Sequence, residues 1–393
     1  MSLLSSMGTL PYVSAPSKAA TLLAVAAIAA SCSVGPFGGS NKSAGHSPSP
    51  SPSASASPQV TGTPSGAPAS TPAPQPVTGA YGVLYGSQAA SSYTVSIIGV
   101  DGKVVASAQV GTPPVASCAN AAAAVTSPPL STSSSRVYFE DAQGAVHYLG
   151  PDGATGTATT VPAPSASRRA MFSVSPDDSR IAVIVDDFNS SGAATRLYVE
   201  NLTGGGNHLD LFSQTGAFSL WPIGWHGTNN LVLAKTPACT QGGGPFCCGP
   251  RELHVVDPAT ATRRFTLGDY SSCPISGPPS PSGVVCENGT DFTQGKWLNW
   301  TAGTVRTLAL NGPAFTYVSP GGQFVAFVDN NGTSFTIGAP TIAGMFACTW
   351  IDDNHVLSGG DAQHQPRVAT ATTSAMVPVA AQGDCGGRLP GGL

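Results

Sequence analysis

The most reactive residue type in this chain of 393 residues is cysteine, and there are nine of them. Cys32 stands alone near the N-terminus. The other eight are Cys118, Cys239, Cys247, Cys248, Cys273, Cys286, Cys348 and Cys385. An even set in an exported chain is the pattern of a disulfide framework. Nearness in sequence favours Cys273 with Cys286, and Cys239 with Cys247 or Cys248. Cys348 with Cys385 would clasp the last blade. The vicinal pair in "PFCCGP" could instead close a small ring or join Cys239 in a metal site. No His stands at the close spacing of zinc ligands, so structural disulfides are expected and no metal is assigned.

Acid–base chemistry has fewer supports. The seven His residues are isolated from one another. His226, Asp352, Asp353 and His355 sit in or beside turns that enter hydrophobic strands, from which side chains can reach a shared rim or channel. No Gly-x-Ser-x-Gly elbow occurs, and no His-Glu-x-x-His, so no catalytic residue and no cofactor is assigned. "DDFNSSG" (186–192) has Asp187, Asn189 and Ser191 at calcium-loop spacing. Tyr198 stands where such a loop needs its bidentate Glu, so the stretch reads as a polar hairpin loop. The net charge is −4 and the basic residues are scattered, which leaves no footprint for nucleic acid.

The elements that must position these residues repeat. "FSVSPDDSRIAVIVDD" (172–187) returns as "FTYVSPGGQFVAFVDN" (315–330). With Ile181 and Val325 as register marks, weaker copies place equivalent residues at Leu84, Val137, Leu231, Val285 and Val356. The mean step is about 45 residues, a period of propellers and other repeat arrays. Each unit reads as a short strand, a polar turn, a hydrophobic strand, a loop, an alternating strand such as "RLYVENL" (196–202), and a last strand. Asp-Gly pairs in "GVDGKVVA" (99–106) and "GPDGATG" (150–156) suit tight hairpins. Four antiparallel strands per unit make a propeller blade. The fold class is therefore all-β: a β-propeller of seven blades over residues 79–393, with six or eight as the alternatives.

Blade one, from 81 to about 112, supplies three strands, and the final blade, from about 346 to 380, supplies four. An open ring would expose a blade face and unpaired edges. The two ends of the domain are therefore expected side by side, with the ring closed between these blades.

The turn sequences resemble the WD40-like PD40 repeat of TolB-type propellers, whose pattern is Ser-Pro-Asp-Gly, a polar pair, then Ile-Ala-Phe. "SPDDSRIAV" (175–183) carries Asp178 for the Gly. "SPGGQFVAF" (319–327) carries Gly321 for the Asp. Trp225 and Trp350 match the aromatic that often precedes the turn. The resemblance implies the fold and little chemistry, because propellers host unrelated functions.

At the N-terminus, Lys18 precedes the apolar run "AATLLAVAAIAA" (19–30). That run is too short to span a bilayer but has the length of a signal-peptide core. Ala29, Ala30 and Ser31 before Cys32 resemble the bacterial lipobox, where cleavage precedes lipidation of the Cys. Residues 1–31 read as a lipoprotein signal peptide. Residues 32–78 read as the lipidated Cys and a Ser/Pro/Ala-rich disordered tether, too poor in large apolar residues to fold and kept extended by proline. The expectation is a monomer on the extracytoplasmic face of the cell membrane, or secreted if the lipobox is not used. It would bind or scaffold an envelope protein or glycan. The rival expectation is a propeller enzyme of glycan-lyase, glycosidase or lactonase type, with acids or His converging in the central channel.

Overall fold

The computed structural model describes residues 74–393 apart from 87–89, 119–129, 191, 239–245, 247–251, 290, 337, 339 and 361–363. The signal peptide, Cys32, nearly all of the tether, Cys239, Cys247 and Cys248 lie outside the described residues.

The domain is all-β, with seven antiparallel sheets. Blade one contains β1 (Tyr81–Tyr85), β2 (Ser92–Gly99) and β3 (Val104–Gly111). Blade two contains β4 (Leu130–Thr132), β5 (Val137–Glu140), β6 (Ala145–Leu149) and β7 (Thr155–Thr160). Blade three contains β8 (Arg168–Val174), β9 (Arg180–Asn189), β10 (Gly192–Asn201) and β11 (Leu209–Gly216). Blade four contains β12 (Phe218–His226), β13 (Asn230–Pro237), β14 (Glu252–Val256) and β15 (Arg263–Gly268). Blade five contains β16 (Val284–Glu287), β17 (Gln294–Leu298) and β18 (Thr304–Ala309). Blade six contains β19 (Phe315–Val318), β20 (Val325–Asp329), β21 (Gly332–Phe335) and β22 (Ile342–Ala343). Blade seven contains β23 (Ala347–Trp350), β24 (His355–Ser358), β25 (Arg367–Thr370) and β26 (Met376–Pro378). The last strand, β27 (Asp384–Leu389), pairs with β1 and becomes the innermost strand of blade one. The ring thus closes by strand exchange between the two ends of the domain.

All seven register marks fall on the strand second from the channel. In blade five that strand is β16, and its inner neighbour is an irregular segment joined through the single bridge Ile275↔Cys286. Pro274, Pro278, Pro279 and Pro281 crowd this segment, and a residue without an N–H cannot sustain a ladder.

Burial follows from the strand sequences. In β9, Ile181 to Asp186 are all buried because neighbouring blades cover both faces. Successive side chains alternate between those faces: Ile181, Val183 and Val185 pack toward blade two, and Ala182 and Ile184 toward blade four. Two indoles tie blades together at their inner strands. Trp225 Nε1 donates to Ser173 O at 3.0 Å, and Trp350 Nε1 donates to Tyr317 O at 2.8 Å.

The repeated turns have the same role. Asp178 (φ 57°) and Gly322 (φ 71°) hold the left-handed position of their turns, which favours glycine. Asp178 offsets the backbone cost because its carboxylate accepts from Ser135 Oγ and Tyr138 Oη of blade two, both at 2.7 Å. In the other copy, Gly321 N donates to Asp353 Oδ1 of blade seven at 2.6 Å.

Two disulfides join described residues: Cys273–Cys286 within blade five, and Cys348–Cys385 between β23 and β27. The first is the pairing that sequence proximity favours, and the second is the expected clasp. The second does more than clasp the last blade, because it crosslinks that blade to the closing strand of blade one. Cys118 is also disulfide-bonded, with its partner outside the described residues.

One buried acid opposes the fold at neutral pH. Glu140 is fully buried, and neither carboxylate oxygen has a hydrogen-bond partner. Burial, with a smaller push from Asp141, raises its pKa from 4.5 to about 9. In the unfolded chain the proton leaves near 4.5, whereas the folded chain keeps it to about 9. Every step of pH between those values therefore favours the unfolded chain. Glu140→Gln, which mimics the neutral acid, is expected to gain roughly 3 kcal/mol at pH 7 and nothing near pH 4.5. Urea unfolding across that range checks this, and parallel stability curves for the two chains would refute it.

Candidate binding site

The inner strands enclose a central cavity of about 340 Å³. This is at the small end of the range for small-molecule sites. Its wall is unevenly composed. From blades four, five and six come Pro222, Pro278, Pro279, Pro281 and Pro320, with Ile223, Phe246 and Tyr317. Each proline contributes a ring and a carbonyl but no N–H. From blade one come Gly386, Gly387 and Arg388 on β27. Arg388 is the only cationic side chain among the described lining residues, and no Asp, Glu or His is among them.

The chain beyond β27 folds over the rim that carries the turns between first and second strands. Gly391 N donates to Ser133 O at 2.6 Å, and Leu393 N donates to Trp225 O at 2.7 Å. Arg388 pins this tail by donating from Nη1 to Pro390 O at 2.6 Å. Leu393 reaches Gly224, where a Cβ would stand 2.7 Å from Leu393 Cδ1. Gly391, Gly392 and Leu393 thereby form one end of the cavity.

The four rim candidates do not converge. His226 donates through Nδ1 to Leu393 O at 2.7 Å and stacks on Trp300 of blade five, ring centroids 5.0 Å apart. Asp352 accepts from the backbone N–H groups of Asn354 and His355, at 2.8 and 2.7 Å, and from His355 Nδ1 at 2.9 Å. Asp353 receives the blade-six turn described above. Each side chain holds a turn, a neighbouring blade or the tail, and none lines the cavity.

The calcium-like loop is also committed to structure. Asp187 accepts from Arg168 Nε at 2.7 Å. Asp186 is fully buried and accepts from Arg169 Nη2 at 2.6 Å, Thr195 Oγ1 at 2.7 Å and Ser219 Oγ at 2.6 Å. No group of three His, Cys, Asp or Glu suited to a metal occurs among the described residues.

Sequence reasoning missed Arg388 and the proline wall. The signal for the wall was the run "SGPPSPSG" before Val284, a first strand replaced by prolines. Nothing local marked Arg388, because its place in the channel depends on β27 crossing to blade one.

No protein-family model matches the chain. No curated protein sequence matches it. Among solved structures, a chain of the mitotic checkpoint complex is similar at 15% identity and TM-score 0.35, over 60% of this chain and 70% of that one. The β-propeller domain of Cps50 (Swd1) from Myceliophteria thermophila is similar at 8% identity and TM-score 0.40, over 67% and 88%. A putative TolB from Agrobacterium tumefaciens is similar at 12% identity and TM-score 0.38, over 78% and 91%. The assignment of seven blades rests on the strand pairing of this chain itself.

Proposed function

We propose that this chain is a lipid-anchored binding module, a propeller held by Cys32 on the extracytoplasmic face of a membrane and engaging an envelope protein or glycan. The observation that carries the binding reading is the cavity wall, whose described side chains include no carboxylate and no imidazole. Lyase, glycosidase and lactonase chemistry needs an acid or base within hydrogen-bond reach of the reacting atom. The rim candidates His226, Asp352, Asp353 and His355 are instead engaged in turn, blade and tail contacts. The anchor reading is supported by the apolar run, the small residues before Cys32 and the Pro/Ser-rich tether behind it.

Two measurements test this. The wild-type chain should carry acyl mass at Cys32 and stay with membranes, while Cys32→Ser should lose both. Equal retention of the mutant, with no acyl mass on the wild type, removes the anchor. For binding, the wild-type chain crosslinked on intact cells should retain a defined envelope protein or glycan fragment through purification. Turnover of a glycan or lactone by the purified chain would replace this reading with the enzymatic one.

A further inference from the structure

The central cavity has a direction. On the side of blades four to six its wall is apolar and poor in donors, because Pro222, Pro278, Pro279, Pro281 and Pro320 bring no N–H. On the side of blade one stands Arg388, with five N–H donors, of which the tail uses those facing Pro390 O and Gly392 O, at 2.6 and 3.5 Å.

The charge balance around Arg388 is incomplete. Among the described residues it takes part in no salt bridge, and the carboxylate that acts on it is Asp353, through the field alone. Asp353 itself accepts from Gly321 N at 2.6 Å. Burial pulls the guanidinium pKa down to about 10, so the group is charged at neutral pH yet poorly compensated. Leu393 O, at one end of the same cavity, accepts from His226 Nδ1 at 2.7 Å.

We propose that the cavity binds a small aromatic monocarboxylate, its carboxylate on Arg388 and its ring against the proline wall of blades four to six. A single guanidinium matches one carboxylate in two parallel hydrogen bonds. A phosphate or a polyanion would need further cations, and Arg388 is the only one in the described lining. The apolar rings of five prolines suit an aromatic ring better than a hydroxylated sugar, whose acceptor oxygens would find few donors on that wall. The volume of about 340 Å³ admits one such molecule and no polymer segment of any length.

This ligand site rests on the reading of the protein as a binding module, and the experiment separates the two. The purified full chain is titrated calorimetrically with phenylacetate, with phenylacetamide, which keeps the ring and loses the charge, and with acetate, which keeps the charge and loses the ring. Phenylacetate should bind one per chain, at least tenfold tighter than either control. Arg388→Gln should weaken it at least tenfold, and Arg388→Lys should recover part of the loss. Because Arg388 also pins the tail, Ile223→Trp serves as a second variant: it fills the cavity from the opposite wall and should abolish binding with Arg388 intact. The proposal is overturned if phenylacetate fails to bind, if phenylacetamide equals it, or if either Arg388→Gln or Ile223→Trp, once shown to be folded, binds phenylacetate as the wild type does. A chain that still captures its envelope partner while ignoring phenylacetate loses the ligand site and keeps the scaffold role. A chain that binds phenylacetate but captures nothing keeps the ligand site and loses the scaffold role.

Discussion

Cutting the chain after Gly383 is expected to leave a protein with no cooperative unfolding transition, recovered as aggregate or as protease-labile fragments. The cut removes β27, which pairs with all five residues of β1. The inner edge of blade one would then present a row of unpaired N–H and C=O groups to the channel, and such an edge is a template for association. Leu389 would leave the core that it shares with Val83, Ile97 and Phe139. The cluster of Leu84, Ile98, Ile351, Leu357 and Val368 between blades seven and one would lose its cover from Cys385. The disulfide from Cys348 would also go. A Cys348→Ser/Cys385→Ser chain separates these losses, since it keeps the strand and should still fold, with lower stability. Calorimetry and gel filtration of both chains decide the matter. A truncated chain that remains monomeric and melts with the parent would show that the ring does not depend on its last strand.

The next largest effect is expected inside the ring. Asp186→Ala should cost about 4 kcal/mol, within the range for breaking a buried ion pair. Arg169 is 5% exposed in its side chain, and its partner Asp186 is 0% exposed. Removing the carboxylate leaves a buried guanidinium between the rings of Trp221 and Phe188, at 4.8 and 5.3 Å. Its Nε and Nη1 already have no hydrogen-bond partner, so the mutant would bury the whole cation unpaired. Thr195 and Ser219 would lose their shared acceptor too, and Ser219 belongs to the next blade. The double variant Arg169→Met/Asp186→Leu removes both charges and should cost far less, because an apolar pair avoids the desolvation penalty. Urea titrations supply the numbers. A cost below about 1 kcal/mol for Asp186→Ala, as for an exposed pair, would mean that the two blades do not bury this pair.

Much of this architecture was legible in the chain because the information is local and repeated. Ser175–Asp178 and Ser319–Gly322 encode the same tight turn, so their equivalence survives the loss of the Gly in one and the Asp in the other. The runs around Ile181, Leu231 and Val325 are apolar because both faces of a second strand are covered, and that holds in every blade. The spacing of Cys273 and Cys286, 13 residues apart, puts that pair within reach on sequence alone. Closure between the first and last blades followed from the cost of an open ring, which would expose a blade face and unpaired edges. That a strand beyond the last blade completes the sheet of blade one was visible only in the pairing of β27 with β1.

Other features were decided by the ring alone. The sequence around Asp352 and His355 looks like chemistry, but Asp352 caps its own turn and Asp353 reaches blade six, so their lone pairs are spent on structure. Asp186 opens a stretch whose sequence resembles a cation loop, yet it lies on β9 and its partners are Arg169 on β8 and Ser219 on β12, 17 and 33 residues away. Arg388 resembles a stray surface cation in "GGRLPGGL". It faces the cavity because β27 crosses to blade one, and that pairing partner lies some 300 residues earlier in the chain. A strand's hydrophobic pattern reports which of its faces are covered. It carries no record of which distant strand supplies the cover, and in a closed ring it is that distant strand which forms the channel.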